Sequence, residues 1–181
     1  METGTWVGNT TGYMATIARK PIYSCELIPR FHALSKMRLR ELQELHLEQS
    51  DSRRFLQRLS QSDLARKSVF FYLDAHWYEE LPLAEEVGTV VNCWEQFVIM
   101  IDDFKVPTDP GYGYDNYGAG KALSLELLSP LLQKHKLVPY FPAAPSSQET
   151  GAHRGCVVLA SIGAHSEKLS RLSSLKGWSN S

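Results

Sequence analysis

Ser68-Val69-Phe70-Phe71-Tyr72-Leu73-Asp74 is apolar from Val69 to Leu73, and Gln96-Phe97-Val98-Ile99-Met100-Ile101-Asp102 repeats the pattern. Neither run alternates apolar with polar residues, as a strand with one wet face would. Short continuous runs rich in β-branched and aromatic residues suit strands covered on both faces, the situation in parallel sheets crossed by helices. Pro21-Ile22-Tyr23-Ser24-Cys25-Glu26 reads as a further strand. Between these runs the period changes. Residues 29–44 carry Leu34, Met37, Leu39 and Leu42, and then Leu45, among Arg, Lys and Glu at helical spacing, with Pro29 suited to a first helical turn. Residues 52–66 repeat this with Phe55, Leu56, Leu59 and Leu64, opening at Asp51 or Ser52 as N-cap. Residues 82–94 and 121–135 supply two further helical stretches.

Strand and helix in alternation predict right-handed crossovers and a doubly wound, mostly parallel α/β sheet of Rossmann-like type, with helices on both faces. Near the end the order changes. Residues 136–141 and 154–161 read as strands joined by a loop rich in Pro, Ser and Gly, with no room for a crossover helix, which predicts an antiparallel hairpin. The expected organisation is a core over residues 1–162 and a serine-rich, peripheral tail over 163–181, where Leu169, Leu172 and Leu175 suggest one amphipathic turn. The first strand is expected to be cut short, because only Met1 precedes Glu2.

Composition narrows the classes. With 43% hydrophobic and 22% charged residues over 181 positions, the chain can bury an ordinary core without disulfides or a structural metal. Its net charge of −1 lacks the basic excess that phosphate backbones attract, so no nucleic-acid partner is expected. Cys25, Cys93 and Cys156 are too far apart for a zinc site and odd in number, which fits a reducing, cytoplasmic setting. No apolar run is long enough for a membrane span, and no membrane association is expected. Assembly into a homo-oligomer is left open.

Three features fall at predicted strand ends, where open α/β sheets bind ligands. Glu2-Thr3-Gly4-Thr5-Trp6-Val7-Gly8 places spaced glycines before a helical stretch, letting backbone N–H groups approach a ligand near a helix N-terminus; a plain tight turn would also explain it. Glu26 ends the next strand, where a carboxylate commonly accepts from ribose hydroxyls; a solvated charge is the alternative. Asp74 ends one apolar strand, and Asp102 and Asp103 end another. Carboxylates converging from neighbouring strands repel one another, and a hard divalent cation such as Mg²⁺ relieves the conflict. Helix capping, or pairing with Lys105 or Lys121, is the competing explanation.

Glu2-Thr3-Gly4-Thr5-Trp6-Val7-Gly8 resembles the first motif of class I S-adenosylmethionine-dependent methyltransferases, in the form seen in catechol and macrocin O-methyltransferase-like enzymes. The resemblance runs through most of the chain. It implies that S-adenosyl-L-methionine is held by Glu2, Gly4, Thr5 and Gly8, by Glu26 at the ribose, by Asp51 and Ser52 on the adenine side, and by Asp74. In the metal-dependent members, the positions of Asp74, Asp102 and Asp103 hold Mg²⁺. The segment 102–118 is similar to that of a largely uncharacterised bacterial subgroup. Trp6 stands where the commoner motif has a glycine.

The implied reaction is methyl transfer to a hydroxyl oxygen of a small-molecule or sugar acceptor, with Mg²⁺ lowering the pKa of that hydroxyl. His76 is the expected proton acceptor and Lys105 the second candidate. Tyr112, Tyr114 and Tyr117 lie in a Gly, Pro and Tyr-rich loop that suits a substrate wall or lid, or else anchor that loop. Trp77, Trp94, Phe70 and Phe71 are expected in the core. Two other functions compete: an inactive methyltransferase-like pairing domain, and a nicotinamide-dependent oxidoreductase, which the missing Gly-x-Gly-x-x-Gly and the closing hairpin disfavour.

Overall fold

The computed structural model describes residues 1–76 and 81–178, so Trp77 lies outside the described residues. The chain forms two compact units, Met1–Glu95 and Gln96–Ser181.

In the first unit strands and helices alternate: β1 (Glu2–Thr3), α1 (Asn9–Ala18), β2 (Ile22–Glu26), α2 (Pro29–Arg38), β3 (Leu45–Gln49), α3 (Ser52–Ser60), β4 (Val69–Leu73) and α4 (Leu83–Cys93). A short 3₁₀ turn at Asp63–Arg66 precedes β4. The strands lie in the order β3-β2-β1-β4 and pair in parallel. The first strand spans two residues and holds an inner place: Glu2 is paired with Ser24 and Tyr72, and Thr3 with Cys25 and Leu73.

Right-handed crossovers put α1 and α2 on one face of these strands and α3 on the other. The core of the unit lies on the α3 side, where α3 packs on α4. Phe55, Leu56 and Leu59 of α3, Phe71 and Leu73 of β4, and Leu83, Val87 and Val90 of α4 are all buried. The Trp94 ring meets Phe71 edge-on at 5.0 Å, and its N–H donates to the Leu64 carbonyl at 3.0 Å.

The α1/α2 face differs from expectation. Helix α2 stops at Arg38, and Leu45, read as part of its stripe, opens β3. Only Thr11 of α1 and Ser35 of α2 are buried, while Ile17 is 60% and Met37 58% exposed. Phe70, expected in the core, is 45% exposed, because it lies near the entry end of β4, where only the last three residues are buried.

The second unit contains β5 (Phe97–Ile101), α5 (Leu125–His135), β6 (Leu137–Pro142), β7 (Val157–Ser161), α6 (Ala164–Leu169) and β8 (Leu175–Gly177). Its strands run in the order β5-β7-β6-β8 with antiparallel pairing throughout, so the predicted hairpin is present as β6 and β7. The serine-rich tail is more than peripheral. It supplies α6 and also β8, which pairs with β6 from Tyr140 to Pro142, and Trp178 meets the buried Phe141 ring at 5.9 Å. The 162/163 boundary read from composition therefore divides a paired set of strands. Parallel strands with crossover helices, followed by an antiparallel hairpin, make this a Rossmann-like α/β fold. Among the described residues no helix is long and apolar enough to cross a membrane.

Candidate functional site

In the first unit the predicted residues gather where β1, β2 and β4 end. Beyond Thr3 the chain turns at Gly4, which has φ +86°, and the N–H groups of Gly4 and Thr5 both donate to the Cys25 carbonyl at 3.0 Å. A Cβ at Gly4 would collide with the Asp74 backbone carbonyl, so glycine is required both by conformation and by this close approach. The turn ends at Gly8, also left-handed at φ +80°, which caps α1 without a side chain. The opening N–H groups of α1 are thus left for a ligand or water.

Glu26 closes this turn from β2. Its carboxylate accepts from the Trp6 N–H at 2.7 Å and the Ile28 N–H at 2.8 Å, which fixes its orientation while leaving further lone pairs. Behind the turn Glu2 is 1% exposed and accepts from the hydroxyls of Thr11 and Ser24, both at 2.5 Å; Thr5 and Ser24 share a hydroxyl contact at 2.6 Å. Burial pushes the Glu2 carboxyl above the ordinary carboxylate range, against the pull of the two hydroxyls. Its other oxygen is buried without a hydrogen-bond partner. Glu2 therefore braces the turn from within rather than opening onto a ligand.

Asp51 and Ser52, placed on the adenine side by the resemblance, have other partners. Asp51 is the N-cap of α3, accepting from the Arg53 and Arg54 N–H groups, and it also pairs with the Arg53 guanidinium at 2.7 Å, which holds its carboxyl below the usual range. Ser52 is buried beside Glu86 of α4.

Asp74 follows β4, its N–H bound to the Thr3 carbonyl at 3.0 Å. His76 is buried, with Nε2 3.7 Å from Asp74 Oδ1. That spacing allows the carboxylate to stabilise a proton gained by the imidazole.

In the second unit β5 is followed by Asp102 and Asp103, the latter left-handed at φ +52°. The Asp103 carboxylate accepts from Arg154 Nε, and Arg154 Nη2 donates to Asp115. Asp103 was expected to hold a cation together with Asp74 and Asp102. Within the second unit its carboxylate is instead paired with the Arg154 guanidinium, which it shares with Asp115. Lys105 is exposed, with Nζ 5.8 Å from the centre of the Tyr114 ring, a cation–π contact.

The loop beyond is pinned. Asp115 N–H donates to the Asp103 carbonyl, Leu123 N–H to Asp115 and Lys105 N–H to Leu123. Tyr112 is buried, and its hydroxyl reaches the Ala144 carbonyl at 3.1 Å. Of the two roles expected for these tyrosines, anchoring describes Tyr112.

Three residues with chemical weight were missed. Arg154 and Asp115 carry no local signal, since their partners are far along the chain. Glu86 could have been noticed, because it falls on the buried stripe made by Leu83, Val87 and Val90.

No protein-family model matches the chain, and no curated protein matches it in sequence. Solved structures do match it in fold. The chain is similar to fibrillarin of Aeropyrum pernix, solved with bound S-adenosyl-L-methionine, at 15% identity and a TM-score of 0.60, over 88% of this chain and 64% of that one. It is also similar to the N-methyltransferase NodS of Bradyrhizobium japonicum, at 13% identity and a TM-score of 0.53 over 87% of this chain and 81% of NodS. An rRNA methylase of Streptococcus thermophilus aligns at 14% identity with a TM-score of 0.55, over 90% of this chain and 86% of the methylase. The chain thus shares the Rossmann-like fold of these methyltransferase structures. The chain spans less than two thirds of the fibrillarin chain, and the metal-dependent O-methyltransferase subtype is not among these three likenesses.

Proposed function

We propose that the chain is a methyltransferase that binds S-adenosyl-L-methionine at the Gly4–Gly8 turn and methylates a hydroxyl oxygen of a small-molecule or sugar acceptor. The observation that carries this reading is Glu26, held by the Trp6 and Ile28 N–H groups at the end of β2 and facing a turn that admits only glycine at position 4. A carboxylate in that setting suits a pair of ribose hydroxyls, and the uncapped start of α1 suits a carboxylate group. When bound, S-adenosyl-L-methionine supplies an electrophilic methyl group on a sulfonium.

The residues of the chain do the rest. Glu26 orients the nucleoside, and Gly4 lets the turn pass tightly against the Asp74 backbone. His76 takes the proton of the acceptor hydroxyl at Nε2, with Asp74 stabilising the imidazolium that forms. The net charge of −1 favours a small acceptor over a polynucleotide, although two of the similar folds are fibrillarin and an rRNA methylase. Mg²⁺ is left out of this proposal, because the Arg154 guanidinium is already bound to Asp103.

Calorimetric titration with S-adenosyl-L-methionine and its demethylated product, with NAD as comparator, tests the first half. Glu26→Ala is expected to weaken binding at least about tenfold, the scale of losing a hydrogen bond to a charged group. Failure of the wild-type chain to bind either compound would sink the proposal. The second half is read from product release with hydroxylated acceptors and with RNA. His76→Ala should keep nucleoside binding and lose most turnover, whereas unchanged turnover removes His76 from the mechanism.

A further inference from the structure

Around the turn after β5, two carboxylates and a phenol surround a single cationic group. Arg154 Nε donates to Asp103, Nη2 donates to Asp115, and the other oxygen of Asp115 takes the Tyr117 hydroxyl. The three charged side chains are partly withdrawn from water, at 37%, 22% and 26% exposure for Arg154, Asp103 and Asp115. Carboxylates set around one point form the donor array a hard divalent cation would take. Here a planar guanidinium occupies that point, contributing one N–H to each carboxylate.

The backbone holds the guanidinium in place. Gly113 N–H donates to the His153 carbonyl at 2.6 Å and Gly155 N–H to the Gly113 carbonyl at 2.8 Å, so the segment carrying Arg154 is tied to the loop on both sides. A Cβ at Gly113 would stand 3.3 Å from Arg154 Nη1, so the glycine lets the guanidinium lie close against the loop. Asp103 has a left-handed backbone, a conformation that aspartate tolerates better than most non-glycine residues.

We propose that Arg154 is a built-in cation: it takes the place of a divalent metal between Asp103 and Asp115, closes Asp103 to metal, and locks the loop from Asp103 to Leu123 against the segment preceding β7. Two negative charges balanced by one positive leave the cluster at −1, too little to draw Mg²⁺ out of its hydration shell. Without the guanidinium the same oxygens would carry −2 beside a phenol. The inference concerns only the cation chemistry of the second unit and does not depend on the methyl-transfer reading, so binding measurements can refute either one separately.

The test is a titration of the full chain with Tb³⁺, a hard cation whose luminescence is sensitised by nearby tyrosine, together with thermal melts in Mg²⁺, in Ca²⁺ and in chelator. Wild-type protein is expected to show no saturable signal that depends on Asp103, and a melting temperature unmoved by chelator or Mg²⁺. Arg154→Met is expected to gain saturable Tb³⁺ binding about 10- to 100-fold tighter than any wild-type signal, and to be stabilised by Ca²⁺. The gain should vanish in Arg154→Met/Asp103→Asn and stay absent in Arg154→Lys, which keeps the charge. If Arg154→Met is too unstable to titrate alone, recovery of its melting transition on adding Ca²⁺ supports the proposal, and no recovery counts against it. Saturable Mg²⁺ or Tb³⁺ binding by wild-type protein that Asp103→Asn abolishes would overturn it, as would a folded Arg154→Met chain that gains no cation response.

Discussion

At Glu86 a carboxyl group is withdrawn almost wholly from water, at 1% exposure, in the first turn of α4. The hydroxyls of Ser52 and Thr3 lie beside it and favour ionisation, although neither closes a hydrogen bond of good geometry, and burial outweighs them, raising the pKa to about 7. Because the folded-state value is raised, the stabilising contribution is fully present below the unfolded value of 4.5 and is lost as pH rises from there through about 7, levelling off above. The accumulated loss above that window is roughly 3 kcal/mol. Glu86→Gln should therefore gain stability at pH 8, change little at pH 4, and flatten the slope between; urea midpoints across that range would read it. A variant that kept the wild-type slope would show that another group titrates there. Arg154 and Glu86 show two ways a residue escapes a linear reading. Arg154 meets Asp103 across 51 positions of sequence, and Glu86 sits where the helical period called for an apolar side chain.

Helix α3 shows how the start of an element can be legible to the residue while its end is not. The stretch read to residue 66 is α-helical only to Ser60, and a 3₁₀ turn follows at Asp63–Arg66. Asp51 before an amphipathic run is a strong start signal, and the structure places Asp51 as N-cap, accepting from Arg53 and Arg54 N–H. Asp51→Ala should cost about 1–2 kcal/mol through the lost cap, with part of the effect carried by the Arg53 pair. Chemical denaturation would measure it, and a loss below a few tenths of a kcal/mol would mean that packing against α4 alone holds the helix start. Helix α2 was legible in position but not in extent. Pro29 does sit in its first turn, yet Leu34, Met37 and Leu45, spaced as one stripe, have different fates: the first two lie on an exposed face and the third enters β3. Apolar spacing reports what a helix could bury, and only a packed neighbour decides whether it does.

Across the whole molecule, the tail departs furthest from its composition. Serine-rich sequence suggested a peripheral segment, but β8 covers the edge of β6 and Trp178 packs on Phe141. Deleting residues 163–181 is expected to lower the melting temperature and to promote self-association, since it bares the backbone edge of a strand whose Tyr140 and Phe141 are buried. Light scattering and thermal melts on the shortened chain check this, and a monomer with unchanged melting would show the edge to be dispensable.

Local pattern sufficed for the fold class. Continuous apolar runs at Val69–Leu73 and Phe97–Ile101, the glycines at positions 4 and 8, and the missing crossover between β6 and β7 each constrain the backbone through nearby residues alone. The same locality marked the turn after β1 and the carboxylate of Glu26 as a place for a ligand. Which charges remain available there depends on partners brought together from distant segments. The cation expected between strand-end aspartates meets a guanidinium at Asp103, and Asp51 is occupied by Arg53 and the start of α3. Electrostatic neutralisation depends on distance in space rather than in sequence, and so it was the folded arrangement that set the chemistry of these carboxylates.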